Sequence, residues 1–312
     1  MHHYDAGAVA AALEPRALID ALDEAFRGRT QAPLRQHHLL DAAGTQTLLL
    51  MPAWRDHTAL GVKLVTVFAG NPARGLAAVN ACYVLFDADS GAVRATLDGN
   101  ELTLRRTGAA SALASRYLSR PDSSRLLMVG SGALAPHLIR NHCAVRPIRE
   151  VRIWGRHAQR AQELAAQLQD LAPQVSGTPD LREAVQWADI ISCATLSQEP
   201  LVQGGWLRSG QHVDLVGAFN AQMREADEAA VRRAQVFVDT HAGAWADAGE
   251  LIQALRNGAI EKSHVLGDLH DLARGTHRGR SEVDAVTLFK SVGHALEDLA
   301  AAQLVVAAAR AG

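Results

Sequence analysis

The chain has 312 residues, 48% hydrophobic and 21% charged, and its 31 Lys and Arg against 33 Asp and Glu leave a net charge of −2. This composition excludes disordered and collagen-like chains, and the balanced charge provides no electrostatic footprint for nucleic acid or an anionic membrane. Small molecules are the expected partners.

Glu14, Pro15 and Arg16 open the segment ALIDALDEAF, whose apolar residues recur at helical spacing, with Pro15 suited to a first turn. From Thr47 the period changes to alternation with β-branched enrichment, through TLLLMPAW, ALGVKLVTVF, VNACYVLFD and AVRATLD. Asp89, Ser90 and Gly91 predict a hairpin between the last two. Leu102 to Leu118, rich in Ala and Leu, predicts a long helix ended by Ser119, Arg120 and Pro121. Residues 1–120 thus form an expected α+β domain.

After Pro121 short apolar strands alternate with helices: RLLMVG, an Ala/Leu helix to Ala144, EVRIW, a helix over 157–171, ADIISCAT, HVDLVGA, a helix near 227–234, and QVFVD. That rhythm predicts an α/β fold over residues 121–282, a Rossmann-type parallel sheet with helices on both faces. The segment 283–312 reads as helical from Val283 to Ala309. It is apolar enough around Leu299, Leu304 and Val305 to need cover, and is expected to rejoin the first domain or a subunit interface.

Apolar runs fall far short of the ~20 residues that span a bilayer, and the start MHHYDAG lacks a basic segment followed by an apolar one. A soluble, cytoplasmic protein is expected. Cys82, Cys143 and Cys193, widely spaced and without a CxxC, read as small buried hydrophobes. The 14 histidines show no metal-ligand spacing, so they read as surface residues and no metal is expected. HExxH, GxSxG and GxxxxGK[ST] are all missing from the sequence.

The string VGSGALA, Val129 to Ala135, places Gly130, Gly132 and Ala135 in a GxGxxA pattern straight after a strand and before a helix. The first glycine permits the tight turn, the second admits a pyrophosphate to the backbone, and the helix N-terminus favours phosphate charge. Binding of NAD(H) or NADP(H) is expected. The next strand, EVRIW, ends in Gly155, Arg156 and His157, with Arg160 one turn on and no acid to accept from ribose hydroxyls. Arg156, with Arg160 as helper, therefore points to NADP(H) as preferred and NAD(H) as possible.

Lys63 lies inside GVKLVTVF, where an ammonium must either face solvent at an edge or line a polar cavity. Arg106 sits on the Ala-rich helix and Arg35 in PLRQHH. By their chemistry these three read equally as surface charges or as a clamp for a carboxylate.

The strings GVKLVTVF, LDGNELTLRRTGAASALAS, VGSGALA, DLVGA, AGEL, LGDLHDLARG and TLFKSVGHALEDLAAA, in that order over most of the chain, closely resemble the ornithine cyclodeaminase and μ-crystallin family. The resemblance implies a homodimer whose first domain binds an amino or imino acid and whose second binds the dinucleotide. It implies that Arg35, Lys63 and Arg106 stand at the substrate-carboxylate and active-site basic positions, and of the three Lys63 is the expected catalytic acid. It places Arg106, Thr107, Gly130, Ser131, Gly132, Ala133, Leu134, Thr195, Val216, Gly217, Ala218 and Ser291 at the cofactor, Ser291 being read as part of the final helix. One departure stands out: where cyclodeaminases and alanine dehydrogenase have VG-x-D, this chain has Val216, Gly217, Ala218 and then Phe219 and Asn220. The expectation is an oxidoreductase moving a hydride between NAD(P)H and the α-carbon of an amino or imino acid. Conversion of ornithine to proline, or ligand binding without turnover as in μ-crystallin, are the alternatives.

Overall fold

The structure is a computed structural model that describes residues 1–311, with the side chains of Pro72 and Ala311 outside the description. The chain divides into two units, Met1–Arg106 with His294–Gly312, and Thr107–Gly293.

The first unit begins with a short strand β1 (His2–Tyr4) and helix α1 (Ala6–Ala12), capped by the Asp5 side chain. Helix α2 (Pro15–Arg27) follows, with Pro15 in its first turn and the Glu14 carboxylate accepting from the amide of Ala17. Strands β2 (Gln36–Leu39), β3 (Gln46–Arg55), β4 (Ala59–Phe68), β5 (Val79–Phe86) and β6 (Val93–Asp98) come next. Together with β1 they form a six-stranded sheet in the order β1-β6-β5-β4-β3-β2, antiparallel except where β1 joins β6. Helix α3 (Gly99–Leu118) leaves β6, and the division between units falls within it.

The second unit alternates β7 (Arg125–Val129), α4 (Ala135–Val145), β8 (Glu150–Trp154), α5 (Ala158–Gln167), β9 (Gln174–Gly177), α6 (Leu181–Trp187), β10 (Ile190–Cys193) and β11 (His212–Leu215). It continues with α7 (Glu228–Arg233), β12 (Gln235–Val238), α8 (His241–Asp247), α9 (Gly249–Arg256), β13 (Val265–Asp268), α10 (Leu269–Arg274) and β14 (Thr287–Lys290). All pairings in its eight-stranded sheet, ordered β13-β12-β14-β11-β10-β7-β8-β9, are parallel. Order reverses beside β7, the switch point at which such sheets bind ligands. The chain ends in helix α11 (Ala295–Ala311), which packs in the first unit on α1, α2, β3, β4 and β5.

Several expectations change. The segment read as one helix from Val283 is a buried strand, β14, then a turn, and only then α11. A four-residue apolar run has no periodicity that separates strand from helix, and its neighbours β11 and β12 decide. The joins lie at 106/107 and 293/294, not at 120/121 and 282/283. The second half of α3 bonds within the second unit: Ser111 donates to Asp214, and Arg146 donates to the carbonyls of Ser115 and Ser119. Gly312 lies outside the described residues.

His142 and His212 are fully buried, which corrects their reading as surface residues. His142 Nε2 lies 3.3 Å from Asp214, and His212 Nδ1 lies 3.0 Å from the Thr287 hydroxyl. Burial pushes the His212 pKa well below its usual value. Among the cysteines Cys193 is buried but Cys82 is exposed on the sheet of the first unit.

Leu299 and Val305 of α11 are covered within the first unit, so the uncovered apolar surface lies elsewhere. On β4 the buried residues Ala59, Lys63 and Val65 alternate with half-exposed Leu60, Val62 and Leu64. Opposite these by register stand Leu50 and Pro52 of β3 and Val84 and Phe86 of β5, all half-exposed. The sheet therefore buries one face under α11 and leaves the other apolar and open. Among the described residues no helix is long and apolar enough to cross a membrane.

Candidate active site

Period-two alternation aims Lys63 at α11, where its ammonium meets Asp298 Oδ1 at 2.9 Å and Oδ2 at 2.8 Å. Arg106 of α3 donates from Nε to the same carboxylate at 2.9 Å and from Nη1 to Glu297 at 2.7 Å. All four side chains are buried. An unpaired ammonium at this depth is prohibitive, so the pair of acids on α11 is what allows two cations inside the fold.

Burial first, then the Arg106 charge, and to a smaller extent that of Arg35, lower the Lys63 pKa from 10.5 to about 8, against the pull of Asp298. Arg35, half-buried just before β2, is thus electrostatically part of the cluster. Asp298 is held below its ordinary value by Arg106 and Lys63 in spite of its burial. Lys63 and Arg106 thus meet Asp298 and Glu297, two cations on two acids, with the Arg35 charge close enough to be felt at Lys63. An ammonium titrating near 8 also releases its proton readily near neutral pH.

In the second unit β7 ends in the predicted turn. Gly130 adopts φ +122°, and a Cβ there would lie 2.6 Å from the Ala194 carbonyl oxygen, so both backbone and space demand glycine. A Cβ on Gly132 would instead meet open space, and no side chain caps α4. This is the geometry that admits a phosphate to the backbone at a helix start. Gly130, Ser131, Gly132, Arg156, Arg160 and Thr195 line a cleft of about 220 Å3, together with His157. No carboxylate lines it among the described residues, while Arg156, His157 and Arg160 do. Ala133 and Leu134 complete the turn before α4.

Other predicted residues lie outside that cleft. Thr107 is buried on α3. Val216, Gly217 and Ala218 form the loop after β11, backed against Thr195, and a Cβ on Gly217 would lie 2.0 Å from the Thr195 carbonyl oxygen. Ser291 sits in the turn after β14 and not on the final helix; its hydroxyl donates to Asp239, which also accepts from the amides of Val292 and Gly293. Phe219 is 38% exposed at the end of the β11 loop.

The residues that sequence reasoning missed are the buried acids. Glu297 and Asp298 stand adjacent in an otherwise apolar helix, a pattern that signals a buried charge pair once the helix is known to be covered. Glu250 and its partner Lys290, both buried, gave no such signal.

Residues 6–312 match the model of the ornithine cyclodeaminase/mu-crystallin family, and the chain belongs to that family. It is 41% identical over 289 residues to the Delta(1)-pyrroline-2-carboxylate reductase of Paracoccus denitrificans, covering 92% of this chain and 91% of that protein. To the ketimine reductase mu-crystallin of Rattus norvegicus it is 31% identical, covering 89% and 83%. The structure superposes on that of Thermococcus litoralis Delta(1)-pyrroline-2-carboxylate reductase in complex with NADH and L-proline with a TM-score of 0.95, at 31% identity, covering 100% and 98% of the two chains. The Rossmann-type fold and the oxidoreductase class expected from the sequence both hold.

Proposed function

We propose that the protein reduces a cyclic imine whose C=N carbon bears a carboxylate, of the Delta(1)-pyrroline-2-carboxylate type, to the cyclic amino acid, as a cytoplasmic homodimer that prefers NADPH to NADH. The observation that carries this reading is Lys63: a buried ammonium with a pKa of about 8, paired with Asp298, which it shares with Arg106. The relatives named as reductases of such imines support the substrate class.

Arg35 and Arg106 pair with the substrate carboxylate, and Lys63 donates its proton to the imine nitrogen. A nicotinamide nucleotide, when bound, supplies the hydride to the adjacent carbon. In the opposite direction, neutral Lys63 takes the proton from the amino acid. Phe219 offers no carboxylate to hold a second amine, which disfavours cyclodeamination. Gly130, Gly132 and the start of α4 receive the pyrophosphate, and Arg156 with Arg160 the ribose phosphate.

The test is NADPH oxidation with Delta(1)-pyrroline-2-carboxylate, its six-membered-ring homologue, and an open-chain imine formed from pyruvate and ammonia. The cyclic imines are expected to turn over fastest. NADPH binding without oxidation of any of them would overturn the reading in favour of a non-catalytic binder.

A further inference from the structure

The segment between β11 and α7 carries Glu225, which is fully buried and whose carboxylate collects donors from two separate loops. Oε1 accepts from the Thr195 amide at 2.6 Å and the Thr195 hydroxyl at 2.8 Å. Oε2 accepts from the Gly217 amide at 2.7 Å and the Ala218 amide at 3.4 Å. The Glu225 backbone is itself pinned: its carbonyl accepts from Leu201 and Val202, and its amide donates to Glu250 Oε1. Lys290 closes the arrangement from β14, donating to the Ala218 carbonyl at 2.6 Å and pairing with Glu250 at 3.1 Å. The ionisable groups facing Glu225 are thus Glu250 from α9, Lys290 from β14 and the Cys193 thiol from β10.

A buried carboxylate is costly, and simple packing of two loops does not need one. What it adds is a single acceptor shared by the loop that lines the cleft at Thr195 and the loop at 216–218. We infer that Glu225 is a positioning residue for the cofactor, its two oxygens holding the β10 and β11 loops at a fixed spacing. The inference rests on the assignment of those loops to the cofactor in the reading above.

E225Q is the informative change. Its amide keeps one acceptor but turns an NH2 toward either the Thr195 or the Gly217 donors, so one loop must be released, while the Glu250–Lys290 pair stays balanced. The expected result is an NADPH Kd raised about ten- to hundredfold, with kcat at saturating NADPH changed much less. Faster amide exchange is expected at 195–197 and 216–218 without any cofactor present. Should E225Q lose its fold, T195V and T195S replace it: T195V removes the hydroxyl donor and weakens NADPH, and T195S restores it. Unchanged Kd and local exchange in E225Q, or T195S as weak as T195V, would overturn the inference. Failure of the wild type to bind NADPH or NADH would overturn the cofactor reading instead, while the exchange measurement still decides the clamp.

Discussion

Replacing Asp298 with Asn removes the charge that stabilises the Lys63 ammonium and keeps the shape of the side chain. At 2.8 Å and an effective dielectric of about 20 the two charges attract by about 6 kcal/mol, an upper bound. The net value of a charge-assisted hydrogen bond is ~1.5 to 3 kcal/mol. At ~1.4 kcal/mol per pH unit this moves the Lys63 pKa down by about one to two units, from about 8 to about 6 or 7. Lys63 donates a proton, so imine reduction is lost as pH rises through that value, and the loss begins earlier in D298N. Substrate titration is common to both proteins, so the difference between their pH profiles of kcat/KM belongs to the enzyme. Folding stability offers a second readout. The Lys63 pKa is lower in the folded chain than its ordinary 10.5, so between about 8 and 10.5 the unfolded chain binds the extra proton and stability rises with pH. In D298N that rise begins at lower pH, on a total stability reduced by about 3 to 5 kcal/mol. A kcat/KM limb at the same pH in both proteins would refute the assignment of Lys63 as the acid.

Arg156→Ala is expected to weaken NADPH roughly ten- to hundredfold and NADH little, as read by fluorescence titration; equal losses would remove Arg156 from the ribose phosphate. Proline formation from ornithine is expected to be far slower than imine reduction, and Phe219→Asp to gain affinity for a diamino acid; efficient wild-type turnover of ornithine would show that another carboxylate serves. The next two acids along the chain are poorly placed for that, since Glu225 is engaged with four donors and Asp227 caps α7 while accepting from Gly204. The open apolar face of the first unit is expected to be covered by a second copy of the chain. Light scattering should then give a dimer for the wild type and a folded monomer for Val62→Lys, whose position is already half-exposed; a wild-type monomer at micromolar concentration would contradict this.

Local chemistry was legible in the sequence. The glycine turn after β7, the alternation of β4, Pro15 and Glu14 at the start of α2, and the basic residues after EVRIW each follow from neighbours a few positions apart. These are the distances over which backbone sterics and side-chain period act. The tertiary structure decided what depends on distant partners. Lys63 finds Asp298 across 235 residues, and Arg106 finds Glu297 across 191. No period or propensity encodes those pairings, so the sequence left Lys63 between an exposed edge and a polar cavity, and only the packing of α11 settled it. The same holds for β14, a strand because β11 and β12 flank it, and for Glu225, whose neighbours in sequence betray nothing of the two loops it joins. Sequence sets which groups are available, and the fold sets which of them share a dielectric and a partner, the two quantities that give a buried charge its chemistry.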